Sequence, residues 1–387
     1  MKELRVALFT GNYNHIRDGV SLTLNRLVKY LESQNIPVLV FGPSIKKPLI
    51  DHCGELVVTP SIPMLVSGRD EYRLTTTFPK DARKRLEEFN PTVIHIATPD
   101  ALGYKALKWA KKNDVTVVSS YHTHFTSYFK YYKLTPIEGL AWKYLRWFYG
   151  KCEHTYVPSQ SMIDELGTYG IKNGLHVWAR GVDTNLYNPN KRDLEYRRKV
   201  GFKDDEIVVT FVSRLVWEKE LRTFIESVKN VKATNSKVRA MVVGDGPALE
   251  EAQELLPEAH FTGFVKGEDL ARAYASSDIF NFPSHTETFG NVTLEAMASG
   301  LPCLVADAIG SKSLVVNGEN GLWAEQENVA DFTEKLTQIT SNIEMLKAMG
   351  AKSRELSKLY EWDKINSGLV ENYKAAMGQN SVVEKKG

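Results

Sequence analysis

Short apolar runs and amphipathic helix-like stretches alternate along this chain, and the alternation is run through twice. Residues 4–9, 38–41, 93–96, 115–119 and 155–157 are apolar and strand-length. Between them, 21–33, 81–89 and 102–113 carry helical periodicity. Strands that are apolar throughout and take turns with helices imply a parallel sheet covered on both faces. A second series follows residue 200, with strands at 207–212, 238–243, 279–282 and 303–305 and helices such as 221–231 and 248–255. The fold class expected is therefore α/β, with two Rossmann-like, doubly wound parallel-sheet domains.

The length of 387 residues supports that division, since one hydrophobic core rarely serves so long a chain. The polar, turn-rich segment 180–191 reads as a hinge. It places a first domain at 1–183 and a second at 184–363, followed by a helix-like stretch at 364–378 and a polar tail at 379–387 expected to fray. A hydrophobic share of 43%, a charged share of 25% and a net charge of +2 describe an ordinary soluble protein and supply no reason for nucleic acid as a partner. Cys53, Cys152 and Cys303 stand far apart without ligand spacing, which argues against a disulfide framework or a zinc site. No apolar run reaches about 18 residues, and the first residues lead straight into a strand pattern, so a cytoplasmic location is expected.

The segment richest in chemistry is Ser284-His285-Thr286-Glu287-Thr288-Phe289-Gly290-Asn291, which continues to Glu295 and ends at Ser299-Gly300-Leu301-Pro302. It follows a strand and reads as a loop and then a helix from about 289 to 299. Two carboxylates eight positions apart, Glu287 and Glu295, can address two parts of one elongated ligand. The free amides of the helix start, at Phe289 and Gly290, can receive a phosphate. A nucleotide sugar has that shape and charge. At the end of 207–212 the chain continues Ser213-Arg214-Leu215-Val216-Trp217-Glu218-Lys219-Glu220, which places two cations, Arg214 and Lys219, where a departing diphosphate would need them. In the first half, Gly19 sits in the loop after the first strand, where a backbone without a side chain lets a pyrophosphate come close. His122, in Tyr121-His122-Thr123-His124, lies after another strand of the same sheet. No Gly-X-Gly-X-X-Gly follows the first strand, which weakens a nicotinamide or flavin alternative.

The segment with Glu287 and Glu295 before Gly-X-Pro resembles the retaining glycosyltransferases of family 4, and the resemblance extends over nearly the whole chain. It implies the glycosyltransferase-B fold, two such domains facing a cleft, with the last helix crossing back to the first. Arg214 and Lys219 match the family's Gly-Arg-Leu-X-X-X-Lys-Gly motif as diphosphate clamp, with Ser213 and Glu220 in place of its glycines. Asp18-Gly19 stands where many members have Gly-Gly. Val243-Gly244-Asp245-Gly246-Pro247 is similar to a family turn, and residues 261–265 to the short strand whose end, at Val265, receives the nucleobase. By the same resemblance Glu287 holds hydroxyls of the donor sugar, Glu295 the ribose, and His122 a sugar hydroxyl. The implied reaction is retaining transfer from a nucleoside diphosphate sugar, with no cofactor and no metal; the chain has no Asp-X-Asp pair.

Residues 128–151 hold nine aromatics and five Lys or Arg against one acid, Glu138. Such a mixture suits a lipid interface, and an aromatic helix pair packed into the first domain's core accounts for it equally. The stretch resembles the same region of α-mannosyltransferases acting on glycolipids and of sulfoquinovosyltransferases. A lipid or lipid-linked acceptor at the inner face of the membrane is the leading expectation. A small soluble acceptor, a nucleotide-sugar epimerase and a non-catalytic binding protein are its alternatives. GDP-mannose and UDP-hexoses both stay open as donors.

Overall fold

The computed structural model describes residues 3–63, 72–122, 135–287 and 289–383. The chain divides into two compact units, the first made of residues 1–179 and 363–387 and the second of 180–362.

In the first unit a sheet of seven strands runs in the order β3-β2-β1-β6-β7-β8-β9, and all adjacent strands are parallel. Its strands are β1 (Val6–Phe9), β2 (Val38–Gly42), β3 (Glu55–Val58), β6 (Val93–Ile96), β7 (Thr116–Ser120), β8 (His154–Val157) and β9 (Leu175–Val177). The short pair β4 (Ser61–Pro63) and β5 (Arg73–Thr75) is antiparallel and separate. Both faces of β1 are buried: Val6 and Leu8 join one core cluster, Ala7 and Phe9 the other. That is why the run is apolar throughout rather than alternating. The last helix, Trp362–Val383, packs on this sheet through Leu369, Val370, Tyr373 and Ala376, alongside Leu24, Leu27 and Leu31 of the helix Gly19–Ser33.

The second unit repeats the plan with six parallel strands in the order β12-β11-β10-β13-β14-β15. These are β10 (Ile207–Val212), β11 (Val238–Val243), β12 (His260–Gly263), β13 (Ile279–Phe282), β14 (Cys303–Ala306) and β15 (Gly321–Ala324). In each sheet the strand order reverses beside the first strand, between β1 and β6 and between β10 and β13. Crevices that take ligands open at the carboxyl ends of strands at such a reversal.

The aromatic stretch resolves in favour of packing on one face. In the helix Thr135–Tyr149, Trp142, Leu145, Phe148 and Tyr149 are buried in the core, and Trp142 stacks on Tyr169 at 4.0 Å. The opposite face is different: Leu140 is 71% exposed and Trp147 42%, with Lys143 and Arg146 exposed beside them. The other half of the stretch, Tyr128–Lys133, lies outside the described residues. Among the described residues no helix is long and apolar enough to cross a membrane.

Candidate active site

The reversal between β10 and β13 in the second unit brings Arg214, Lys219 and Glu287 to one sheet edge. Beyond Val212 the chain is pinned by Leu215, which is fully buried; its N–H donates to the Asp245 carbonyl at 2.9 Å and its carbonyl accepts from Ala248 N–H at 3.1 Å. A Cβ on Gly244 would lie 1.9 Å from the Ser213 carbonyl oxygen, and one on Gly246 2.4 Å from that of Leu215. These two glycines are thus explained by the close approach of their turn to the loop that carries the cations. Arg214 is exposed and has no ion-pair partner among the described residues. A 3-10 turn, Trp217–Lys219, then ends at Glu220, whose φ of 58° is left-handed. A glycine suits that conformation, and a glutamate accepts it at about 1 kcal/mol. Its carboxylate accepts a hydrogen bond from Thr223 Oγ1 at 2.9 Å in the helix Leu221–Thr234.

Lys219 and Glu287 meet. The ammonium donates to Glu287 Oε1 at 2.6 Å and lies 3.1 Å from Thr286 Oγ1, while Ser284 Oγ donates to the same Glu287 oxygen at 3.3 Å. Both side chains are about one-fifth exposed, at 22% and 19%. The helix that follows starts at Asn291, two residues later than the pattern suggested, because Gly290 takes a φ of +91°. That conformation keeps the chain out of the helix for one more step. The helix Asn291–Ala298 has no side-chain cap and no acid in its first turn, so its leading amides are open to an anion. Phe289 contributes backbone only; its ring is buried, edge-on to Tyr360 at 6.0 Å.

Glu295 is half-buried on the same helix, and its Oε2 accepts from the Tyr274 hydroxyl at 3.2 Å. Tyr274 is fully buried, and desolvation holds its phenol protonated, well above the ordinary value, so it stays a donor. No sequence motif announced this tyrosine, 21 residues away on another helix. Val265 follows the end of β12, beside Phe264, which is 73% exposed.

In the first unit Gly19 is the first residue of its helix rather than two residues ahead of it. Asp18 caps that helix: its carboxylate accepts from Ser21 N–H at 2.8 Å and from Asn12 Nδ2 at 2.9 Å, and Ser21 Oγ accepts from Asp18 N–H in return. One helix-start amide is therefore already taken beside Gly19, whose own backbone is exposed. His122 follows β7, half-buried, with Nε2 2.7 Å from Ser120 Oγ and its ring edge-on to Trp178 at 5.7 Å.

Two family patterns match this chain: that described as Glycosyltransferase Family 4 covers residues 17–186, and that described as Glycosyl transferases group 1 covers 193–356. A GDP-mannose-dependent alpha-mannosyltransferase of Corynebacterium glutamicum is 32% identical over 342 residues, 87% of this chain and 79% of that protein. The chain is a family 4 glycosyltransferase. An alpha-monoglucosyldiacylglycerol synthase of Streptococcus pneumoniae is 28% identical over 78% of this chain and 70% of its own length. Among solved structures, Anabaena HepE in complex with UDP superposes with a TM-score of 0.75 at 18% identity, over 96% of this chain and 100% of that one. The two Rossmann-like sheets are those of the glycosyltransferase-B class.

Within this glycosyltransferase, the replacement of a motif glycine by Glu220 builds a further group. Among the described residues, Glu220, His285 and Glu327 come together with ligand atoms within 4.8 Å of one another. Glu220 Oε1 is 3.9 Å from His285 Nδ1, and Glu327 Oε1 is 3.8 Å from Nε2. The carboxylates thus make their nearest approaches at opposite ring nitrogens, an arrangement that brackets an imidazole rather than converging on one point.

Proposed function

We propose that this glycosyltransferase moves a hexosyl group from a nucleoside diphosphate sugar, GDP-mannose or a UDP-hexose, to a hydroxyl of a membrane lipid or glycolipid, with retention of anomeric configuration. The observation that carries the reading is the Lys219–Glu287 pair at 2.6 Å, in the loop that leads into an uncapped helix start. Cation, carboxylate and open amides are the three groups that a diphosphate-linked sugar requires at its reacting end. When the donor enters, Glu287 exchanges the ammonium for sugar hydroxyls and Lys219 is released to the diphosphate. Arg214, Lys219 and the amides at Phe289 and Gly290 then stabilise the charge that grows on the leaving group. Glu295, oriented by Tyr274, takes the ribose hydroxyls, and the backbone at Val265 takes the base. To Gly19 the reading assigns a backbone contact with the pyrophosphate, and to His122 a hydrogen bond to the sugar.

A covalent intermediate would need a carboxylate against the anomeric carbon. Both glutamates are already engaged with binding, so we assign deprotonation of the acceptor to the departing phosphate. These groups neutralise the diphosphate without a metal, and turnover that survives exhaustive treatment with a chelator is the result this predicts.

The acceptor side rests on the outward face of the helix Thr135–Tyr149. Leu140, Lys143, Arg146 and Trp147 are exposed there; the Tyr104 ring lies 5.8 Å from Trp147, and Lys108 Nζ 5.0 Å from the Tyr104 ring. Each cation at an anionic surface contributes about 1 kcal/mol, and an exposed indole adds an apolar anchor. The enzyme would then work at the cytoplasmic membrane surface as a peripheral protein. A thermal-shift panel with GDP-mannose, UDP-glucose and UDP-galactose identifies the donor, because stabilisation scales with affinity. Transfer from that donor into diacylglycerol or glycolipid vesicles completes the test. Turnover only with small soluble acceptors would overturn the lipid reading, and a lack of stabilisation by every nucleotide sugar would overturn the donor reading.

A further inference from the structure

A histidine occupies the middle of the first sheet where an apolar residue would be expected. His95 lies on β6, fully buried, between β1 and β7. The rings of Tyr156, Trp178 and Tyr373 stand edge-on to it at 6.0, 5.7 and 5.8 Å. A buried polar ring is costly unless both nitrogens find partners, and here they do. Nδ1 is 2.6 Å from the Tyr373 hydroxyl and Nε2 is 2.8 Å from Ser120 Oγ. Ser120, itself buried, is in turn 2.7 Å from His122 Nε2. Four side chains thus form an unbroken line from the last helix of the chain to His122.

The order of protons along this line follows from counting donors. Burial pushes the His95 pKa down to about 3, so the ring is neutral, with one N–H donor and one acceptor nitrogen. Burial also keeps the Tyr373 phenol protonated. Suppose the line ran from His122 toward Tyr373. His95 would then donate from Nδ1 to the phenol oxygen, and the phenol's own proton would have no acceptor among the described residues, a penalty of the buried-donor kind. In the opposite order every proton is used. Tyr373 O–H donates to His95 Nδ1, His95 Nε2–H donates to Ser120 Oγ, and Ser120 O–H donates to His122 Nε2.

We propose that Tyr373, His95 and Ser120 are positioning residues that lock His122 in the tautomer with its proton on Nδ1, so that it acts as a hydrogen-bond donor from that nitrogen. Nε2 already receives the serine proton. To gain a proton there, His122 would have to turn the Ser120 hydroxyl aside, leaving a buried O–H that has no other acceptor among the described residues. The line therefore opposes a change of state at His122 and suits a residue that orients a hydroxyl oxygen rather than one that takes up a proton. The catalytic consequence rests on the reading of His122 as a ligand of the transferred sugar; the tautomer itself does not.

The full-length protein labelled with 15N-histidine tests this directly. Its nine histidines are assigned through single variants, and ring-nitrogen shifts are read at a pH where free imidazole is neutral. His122 is expected to carry its proton on Nδ1. Tyr373→Phe, which deletes the first donor, and Ser120→Ala, which breaks the line, are expected to yield a mixture or the Nε2–H form. A wild-type His122 protonated on Nε2, or one unchanged in both variants, overturns the proposal. In kinetics, Tyr373→Phe is expected to lower kcat about tenfold with donor KM nearly constant, the scale of one lost positioning bond. His122→Asn, whose amide replaces Nδ1–H, should retain more activity than His122→Gln, whose amide replaces Nε2–H. An unchanged kcat in Tyr373→Phe refutes the positioning role. Full activity in both His122 variants, with the Nδ1 proton still observed, refutes instead the placement of His122 at the sugar.

Discussion

Exchanging Lys219 for methionine removes one charge and keeps most of the apolar stem, so it isolates what the ammonium does. In the structure that ammonium lies 2.6 Å from Glu287, with both groups about one-fifth exposed. Solvent reaches the pair, and its contribution to folding should be no more than about 1 kcal/mol, a shift of roughly 2–4 °C in the melting of the second unit. The effect on transfer should be larger. Removing one fixed donor from a developing negative charge typically costs roughly 10²–10³ in rate, or about 2.7–4 kcal/mol. Stopped assays with the identified donor would give kcat and KM, and scanning calorimetry the stability. The loss should fall mainly on kcat, because the charge that Lys219 meets grows as the diphosphate departs. Glu287→Gln should inactivate the enzyme by itself, and the double variant should be little worse than the poorer single one, since the two act as a unit. A Lys219→Met enzyme that keeps kcat/KM within about threefold while melting lower would show that the pair is structural only.

Gly290→Ala forces an alanine to a φ of +91°, so it should cost about 1–2 kcal/mol in urea denaturation and weaken binding of the free nucleoside diphosphate measured by calorimetry. Tyr274→Phe removes the donor to Glu295 and should raise donor KM by a factor set by about 0.5–1.5 kcal/mol, with kcat nearly unchanged. Lys143→Glu combined with Trp147→Glu should reduce sedimentation with anionic vesicles at low salt by roughly tenfold or more, since two charges reverse or appear at the surface. His95 binds its proton only in the unfolded chain between 6.5 and about 3, so the first unit should lose stability as pH falls through that window; a urea midpoint independent of pH there would contradict the burial.

How far the sequence foretold this molecule depends on whether the relevant interaction is local. Central strands such as β1 and β10 were legible because both faces are buried and their runs are apolar throughout. The edge strands β3 and β9 gave little signal, since two of the four residues of Glu55–Val58 are exposed and Leu175–Val177 ends exposed. β15 was hidden by its first residue, Gly321, where a Cβ would sit 1.9 Å from the Cys303 carbonyl oxygen and so no strand-forming side chain fits. Two helices start two residues away from where the sequence pattern puts them, one later through the left-handed Gly290 and one earlier through the cap at Asp18. The motifs located Lys219 and Glu287 but not their contact across 68 positions. Nothing in either neighbourhood pointed to Tyr274 behind Glu295, nor to Tyr373 meeting His95 across 278 positions.

The most direct measurement is the anomeric configuration of the glycolipid made when the enzyme is incubated with its α-linked nucleotide sugar and lipid vesicles, read from the anomeric proton by NMR. If the departing phosphate takes the acceptor's proton, as proposed, the hydroxyl enters on the face that the phosphate leaves, and the product is α-linked. A β-linked product, or free sugar and epimerised donor with no glycolipid, would contradict it.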